Sequence, residues 1–232
     1  MYNLERQTEI LNILKEKKSI SVNNLSKLLY VSAPTVRRDL TELEVQGKVL
    51  RTHGGVILRK TAESEIPLML REDQNQISKK RIAQKAAEYV KNGDVIFLDA
   101  SSTAAYLVPF LENLNDIVVM TNSPKTSIKL GEKNIKNYCT GGLLLPHSVA
   151  YVGNAVGEFA ANINADVFFF SSRGYTEDGF ITDSSIEEAT TKRVMMKNAQ
   201  RVYYLSDSTK KNKKYIYNIC SVKDVDGIIT EE

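Results

Sequence analysis

Residues 30–55 read YVSAPTVRRDLTELEVQGKVLRTHGG, and this stretch decides the architecture at the start of the chain. Ser32 is placed to cap a helix, with Pro34 tolerated in its first turn and Gly47 available as its stop. Val36, Leu40 and Leu43 step by four and three, which predicts a buried stripe. At roughly 100° per residue Arg38 stands about 200° from Val36, so Pro34, Thr35, Thr41 and Glu42 share its outer half and Arg37 sits on the shoulder. The outward face is cationic and hydroxyl-bearing. An arginine there can fork onto guanine O6/N7 or onto phosphate, and Ser32 and Thr35 can reach phosphates or base edges. Arg37 and Arg38 alone read equally well as a solvated charged face. The order of short turn (Tyr30-Val31), capped helix and hairpin is what points to DNA.

Upstream, Leu4, Ile10, Leu11, Ile13 and Leu14 crowd one side of a first helix, and Ser21 caps a second carrying Val22, Leu25, Leu28 and Leu29. Downstream, VLRTHGGVILR (49–59) holds two β-branched runs around Thr52-His53-Gly54-Gly55 and predicts a small hairpin. His53 lies in its turn, flanked by Arg51 and Arg59, where it either shapes the turn or touches DNA. Three helices and a hairpin predict a winged helix-turn-helix over residues 1–58. Charge agrees: residues 1–60 hold 11 Lys and Arg against 6 Asp and Glu, a net of +5, and the other 172 residues hold 20 against 22, a net of −2. A basic head on a faintly acidic body suits one unit meeting a polyanion.

Residues 59–78 lack sustained periodicity and read as a linker. A helix is expected from Lys79, with Ile82, Ala83, Ala86 and Val90 on one side, ended by Asn92-Gly93-Asp94. Short apolar runs then alternate with helical patterns: VIFLD (95–99), IVVMT (117–121), DVFFFS (166–171), RVYYLSD (201–207) and GIIT (227–230). This is the signature of an α/β domain over 79–232 with a mainly parallel sheet. Ligands of such sheets bind beyond the carboxyl ends of the strands. Those ends supply Asp99, Ser101, Ser102 and Thr103, then Thr121 and Asn122, then Arg173 and Gly174 after two serines, then Asp207 and Lys210. Together they predict a pocket for a small polyhydroxylated anion, with Arg173 and Lys210 neutralising phosphate and Asp99 or Asp207 reading hydroxyls. Loop by loop, the same hydroxyl residues read as helix caps. Arg193 is expected in a structural ion pair with Glu187 or Glu188, the ligand being its alternative partner. Gly141-Gly142 suits a turn or a close ligand approach, and His147 has no assigned role.

The composition, 42% hydrophobic and 25% charged, excludes a disordered or collagen-like chain. Cys139 and Cys220 show no metal or redox spacing and read as cytosolic thiols. There is no signal pattern and no apolar run near the ~18 residues of a membrane span. A cytoplasmic protein without membrane segment, metal or cofactor is expected.

These residues resemble the DeoR-type bacterial transcription regulators. The resemblance rests on VSAPTVRRDL, the following Leu-Glu, the glycine and HGG in the first part, and on DASST, TNS, GG, VGNAV, SRG, EEATTKR and DSTK in the second, covering nearly the whole chain. It implies a winged helix-turn-helix joined to a sensor related to ribose-phosphate isomerase and CoA transferase folds. It further implies a repressor of a carbohydrate or nucleoside utilisation operon, bound to double-stranded operator DNA and released by a phosphorylated sugar; two helix-turn-helix heads need two half-sites, so a homodimer or larger homo-oligomer is expected, and no enzymatic activity is expected. The family's ligand loops map onto Asp99 to Thr103, Thr121-Asn122, Arg173-Gly174 and Asp207 to Lys210. Two loops depart from the family pattern: Ser101 stands where glycine is usual, and Ser171-Ser172-Arg173-Gly174 replaces Gly-Ala-Asn-Gly. The rival readings are a sugar-phosphate isomerase or transferase with a DNA-binding head, and a constitutive DNA-binding protein.

Overall fold

The computed structural model describes residues 3–17, 19–46, 48–52, 55–58 and 68–232. Contacts divide the chain into two units, Met1–Ser64 and Glu65–Glu232. The first contains α1 (Asn3–Lys17), β1 (Ser19–Ile20), α2 (Val22–Leu29), α3 (Ala33–Val45), β2 (Val49–Thr52) and β3 (Gly55–Leu58). Ser21 caps α2, its Oγ accepting from the Asn24 N–H at 3.2 Å. The helix stops at Tyr30, whose φ of 54° and ψ of 39° turn the chain into α3. Ser32 then caps α3, and Pro34 takes its first turn. Ile10, Leu14, Leu25, Leu29, Val36, Leu40 and Leu43 meet in one core with Val49 and Val56. Leu4 and Leu28, expected inward, are each 46% exposed, because the stripes of these helices are narrower than their apolar composition.

Within the RRDL run Asp39 faces inward and is 1% exposed. It receives a bidentate fork from Arg6, at 2.5 Å (Nε) and 2.9 Å (Nη2). The wing is an antiparallel sheet of order β1-β3-β2, in which the two-residue β1 was not anticipated. Thr52 pairs with Gly55. A Cβ on Gly55 would lie 2.4 Å from the Ile20 carbonyl oxygen, so the approach of β1 requires glycine there. Gly47, His53, Gly54, Arg59 and residues 60–67, to which the helix stop, the wing turn and most of the linker were assigned, lie outside the described residues.

The second unit begins within the expected linker: α4 (Leu68–Asp73) and α5 (Gln76–Ala87) are helical where residues up to 78 were read as connector. There follow β4 (Val95–Leu98), a 3-10 helix (Ala104–Phe110), β5 (Val118–Thr121), α6 (Pro124–Glu132), β6 (Asn137–Cys139), β7 (Leu143–Leu145), β8 (Ala150–Val152) and α7 (Asn154–Ala161). The chain continues through β9 (Ala165–Phe170), β10 (Gly174–Tyr175), β11 (Phe180–Asp183), α8 (Ile186–Lys197) and β12 (Ala199–Leu205). Two short 3-10 turns, Ser208–Lys210 and Val222–Asp224, flank β13 (Tyr217–Ser221), and β14 (Gly227–Ile229) is last.

The main sheet has the order β14-β12-β9-β4-β5-β6, all neighbours parallel. Alternation along β9 sends Val167 and Phe169 to one face, with α5, the first 3-10 helix and α6. Phe168 and Phe170 point to the other, with α7 and α8. Helices on both faces explain why the strands read as continuous apolar runs. The element after β4 is 3-10 rather than the expected α-helix, and Pro109 sits inside it. A second sheet, β10-β11-β13, and the β7-β8 hairpin complete the unit. Gly141 and Gly142 (φ 66° and 113°) lead into that hairpin, where a Cβ on Gly142 would meet the Val152 carbonyl oxygen at 2.8 Å. The two glycines make the turn that was one of the two open readings.

Candidate functional site

In the first unit the residues expected to meet DNA share one exposed surface of α3 and the adjoining strand. Arg37 and Arg38 are exposed, and the Arg38 side chain, 84% accessible, has its Nε 3.7 Å from Glu42 Oε1 one turn on. Ser32 Oγ and Thr35 Oγ1 are 2.8 Å apart at the N-terminus of α3. Thr41 Oγ1 donates to the Arg37 carbonyl at 2.9 Å and accepts from Arg51 Nη1 at 3.5 Å, which ties β2 to the helix. His53 lies outside the described residues.

In the second unit a cavity of about 180 Å³ opens at the carboxyl ends of β4, β9 and β12. Ser101, Ser102, Arg173, Asp207 and Lys210 line it, as the sequence predicts. Lys210 Nζ lies 2.6 Å from Ser171 Oγ, 3.2 Å from Thr103 Oγ1 and 3.9 Å from Asp207 Oδ2, so Thr103 stands behind Lys210. Other expectations need correction. Asp99 is 1% exposed and stands behind the lining. Its Oδ1 accepts from Ser101 N at 3.1 Å and Oγ at 2.6 Å, and its Oδ2 from Ser171 N at 3.4 Å, so it joins two loops. Thr121 and Asn122 are turned to other tasks: Thr121 Oγ1 accepts from Ser123 N at 3.1 Å and Asn122 Nδ2 donates to the Tyr151 carbonyl at 2.9 Å. Gly174 pairs with Thr182 between β10 and β11, where a Cβ would meet the Lys213 carbonyl oxygen at 2.5 Å; its role is close packing. Arg193 makes neither of its expected contacts and donates to the Asn218 carbonyl, at 3.2 and 2.6 Å.

The sequence reading missed Arg71 on α4, Lys79 on α5, and Asp183, Glu188 and Lys192 around the start of α8, all of which line the cavity. Two of these carried a signal. Lys79 falls on the stripe of Ile82, Ala83 and Ala86, and Lys192 on that of Ala189 and Met195; a lysine aimed inward needs an anion.

The two lysines meet that need differently. Lys192 Nζ lies 2.8 Å from Asp183, 3.3 Å from Glu188 and 3.9 Å from Asp99. Burial disfavours its charge, but the three carboxylates outweigh burial and hold its pKa above the ordinary value. Glu188, buried beside Lys192 and Arg71, is in turn held down at about 2. Asp99 is raised by burial, which Lys192 only partly offsets. Lys210 lacks such compensation: burial, with Lys79 and Arg71 adding to it, lowers its pKa to about 8 against the pull of Asp207. Lys79 is lowered by burial too, Arg71 adding to the effect and Asp207 opposing it. Arg71 Nε and Nη2 are buried with no hydrogen-bond partner. An anion that accepts hydrogen bonds is what this corner of the cavity can hold.

Two family models divide the chain between them. The DeoR-like helix-turn-helix domain matches residues 6–62 and the DeoR C terminal sensor domain matches residues 74–232. The chain belongs to the DeoR family of transcriptional regulators. It is 37% identical to the HTH-type transcriptional regulator YulB of Bacillus subtilis over 98% of this chain and 88% of that protein. To the L-fucose operon activator of Escherichia coli it is 35% identical, over 98% and 94%. This DeoR-family chain also superposes on the eIF2B delta-containing complex of C. thermophilum with a TM-score of 0.51, at 13% identity over 71% of this chain and 58% of that one; the likeness is one of fold. Among its described residues no helix is long and apolar enough to cross a membrane. The chain is a DNA-binding transcriptional regulator, with a winged helix-turn-helix and an α/β sensor domain.

Proposed function

We propose that this regulator represses a carbohydrate or nucleoside utilisation operon in the cytoplasm, as a homodimer or larger homo-oligomer, and leaves its operator when a phosphorylated sugar fills the sensor cavity. The observation that carries the reading is the convergence of Arg71, Lys79 and Lys210 beside the hydroxyls of Ser101, Ser102 and Ser171. A phosphate dianion accepts from Arg71, Lys79, Lys210 and the Ser102 hydroxyl, the Ser101 and Ser171 hydroxyl protons being given to Asp99 and to the Leu205 carbonyl, and Asp183 and Asp207 on the same lining accept from sugar hydroxyls. A head that reads two half-sites calls for at least a dimer. One relative is named as an activator, and the direction of regulation is therefore part of the test.

A panel of pentose and hexose phosphates, read by thermal shift, by gel shift on operator DNA and by product formation, tests the reading. A ligand that raises Tm with the logarithm of its concentration, releases DNA and is recovered unchanged supports it. Turnover of the bound sugar phosphate assigns the domain to an enzyme instead. Lys210→Ala is expected to abolish release while leaving DNA binding intact, and normal release in that variant removes Lys210 from the site.

A further inference from the structure

Of the elements around the cavity, α4 is the one nearest in sequence to the DNA-reading unit, joined to it through residues 59–67. Its outer contacts dock it on the sensor, and on the cavity side the Lys79 ammonium donates to the Arg71 carbonyl. The Leu68 N–H donates to the His147 carbonyl at 2.8 Å, the Tyr106 hydroxyl donates to the Glu72 carbonyl at 3.1 Å, and the Glu72 carboxylate pairs with Lys125 and, at 3.4 Å, with Lys129 of α6. Arg71 points the other way and lines the cavity. There its Nε and Nη2 are buried without a hydrogen-bond partner, in a field shared with Lys79 and Lys210. Glu188 is the carboxylate that feels it, and Glu188 is already bound to Lys192 at 3.3 Å. Docking α4 therefore carries two unfavourable contributions, a desolvated guanidinium and repulsion between like charges.

An anion in the cavity removes both at once, by accepting from Arg71 while balancing the two lysines. We propose that α4 is a strap drawn tight by the ligand: anion binding to Arg71 converts a loosely docked α4 into a firmly docked one, and so sets the anchorage of the segment leading to the winged helix. This rests on the anion-site reading above and adds to it the route by which occupancy leaves the site. Only a ligand that interacts differently with the two states of α4 can shift them, and Arg71 supplies that difference.

The test is amide hydrogen exchange of the full chain, comparing residues 68–73 with the central strands β4 and β9. With inorganic phosphate at constant ionic strength, exchange over 68–73 is expected to slow about tenfold relative to those strands. Arg71→Met, which removes the charge and keeps the length, is expected to slow the same amides in phosphate-free buffer, before any ligand is added, and Arg71→Lys is expected to behave as wild type. If Arg71 were a ligand contact and nothing more, Arg71→Met would leave exchange in phosphate-free buffer unchanged, and that result overturns the strap. So does a wild-type chain whose Tm rises with phosphate or a sugar phosphate while 68–73 exchange as before; there the anion site stands and the strap falls. A chain whose Tm responds to none of these anions contradicts the anion site itself, and the ligand-drawn strap falls with it.

Discussion

Lys210 makes pH a handle on the sensor. Its pKa near 8 lies below the ordinary ~10.4 of lysine, so between these values the unfolded chain holds a proton that the folded chain has released. Stability of the ligand-free sensor therefore rises with pH across that window, by at most about 3 kcal/mol, and Lys210→Met should flatten the rise in urea titrations run from pH 7.5 to 10. Anion affinity moves the opposite way, because the ammonium is the form that holds phosphate. It should fall towards tenfold per pH unit above pH 8, and a flat profile to pH 9.5 would count against the contact. At the DNA surface, Arg38 is 84% accessible and its pairing with Glu42 at 3.7 Å is worth a few tenths of a kcal/mol at most. Arg38→Ala should accordingly leave Tm unchanged and weaken operator binding by about 1–3 kcal/mol if the side chain reads a base.

Among the elements, α3 is positioned by more than its apolar stripe. The buried Asp39 takes two hydrogen bonds from Arg6 of α1, so Asp39→Ala removes that fork from the helix interface and should cost about 2 kcal/mol, seen as an earlier unfolding transition of the first unit in urea. The arginine pair of the RRDL run was legible as outward by angle alone, whereas Asp39 facing inward was not, because its partner lies on another helix. The same division holds in the sensor. Runs such as VIFLD and DVFFFS announce strands since both faces of a parallel sheet are covered. The short β6, β10, β11 and β13 mix polar and apolar residues, and β7 is only three leucines, so none leaves a period to read. Of the cavity, the strand-end serines, Arg173, Asp207 and Lys210 were visible because one topological rule gathers strand ends. Arg71 was not, as α4 is a helix of only six residues in a stretch without periodicity, and the Lys192 cluster draws its carboxylates from β11, α8 and the loop after β4.

For the whole molecule, the +5 of residues 1–60 predicts that operator affinity falls linearly in log–log plots against salt, with a slope of about −0.9 for each phosphate neutralised. If Arg37 contacts a phosphate, Arg37→Ala should reduce that slope by about one; an unchanged slope places it off the backbone. The order of the strands also governs how quickly each property returns after denaturation. The central strand β4 completes its pairing only when Ile96 meets Val167, contacts of long sequence separation, whereas the helices of the first unit assemble from near neighbours. Topologies rich in distant pairings gain their native contacts late. Chain diluted out of urea onto labelled operator is thus expected to recover DNA affinity before it recovers sensitivity to ligand, and for that interval it acts as a regulator that cannot be switched off.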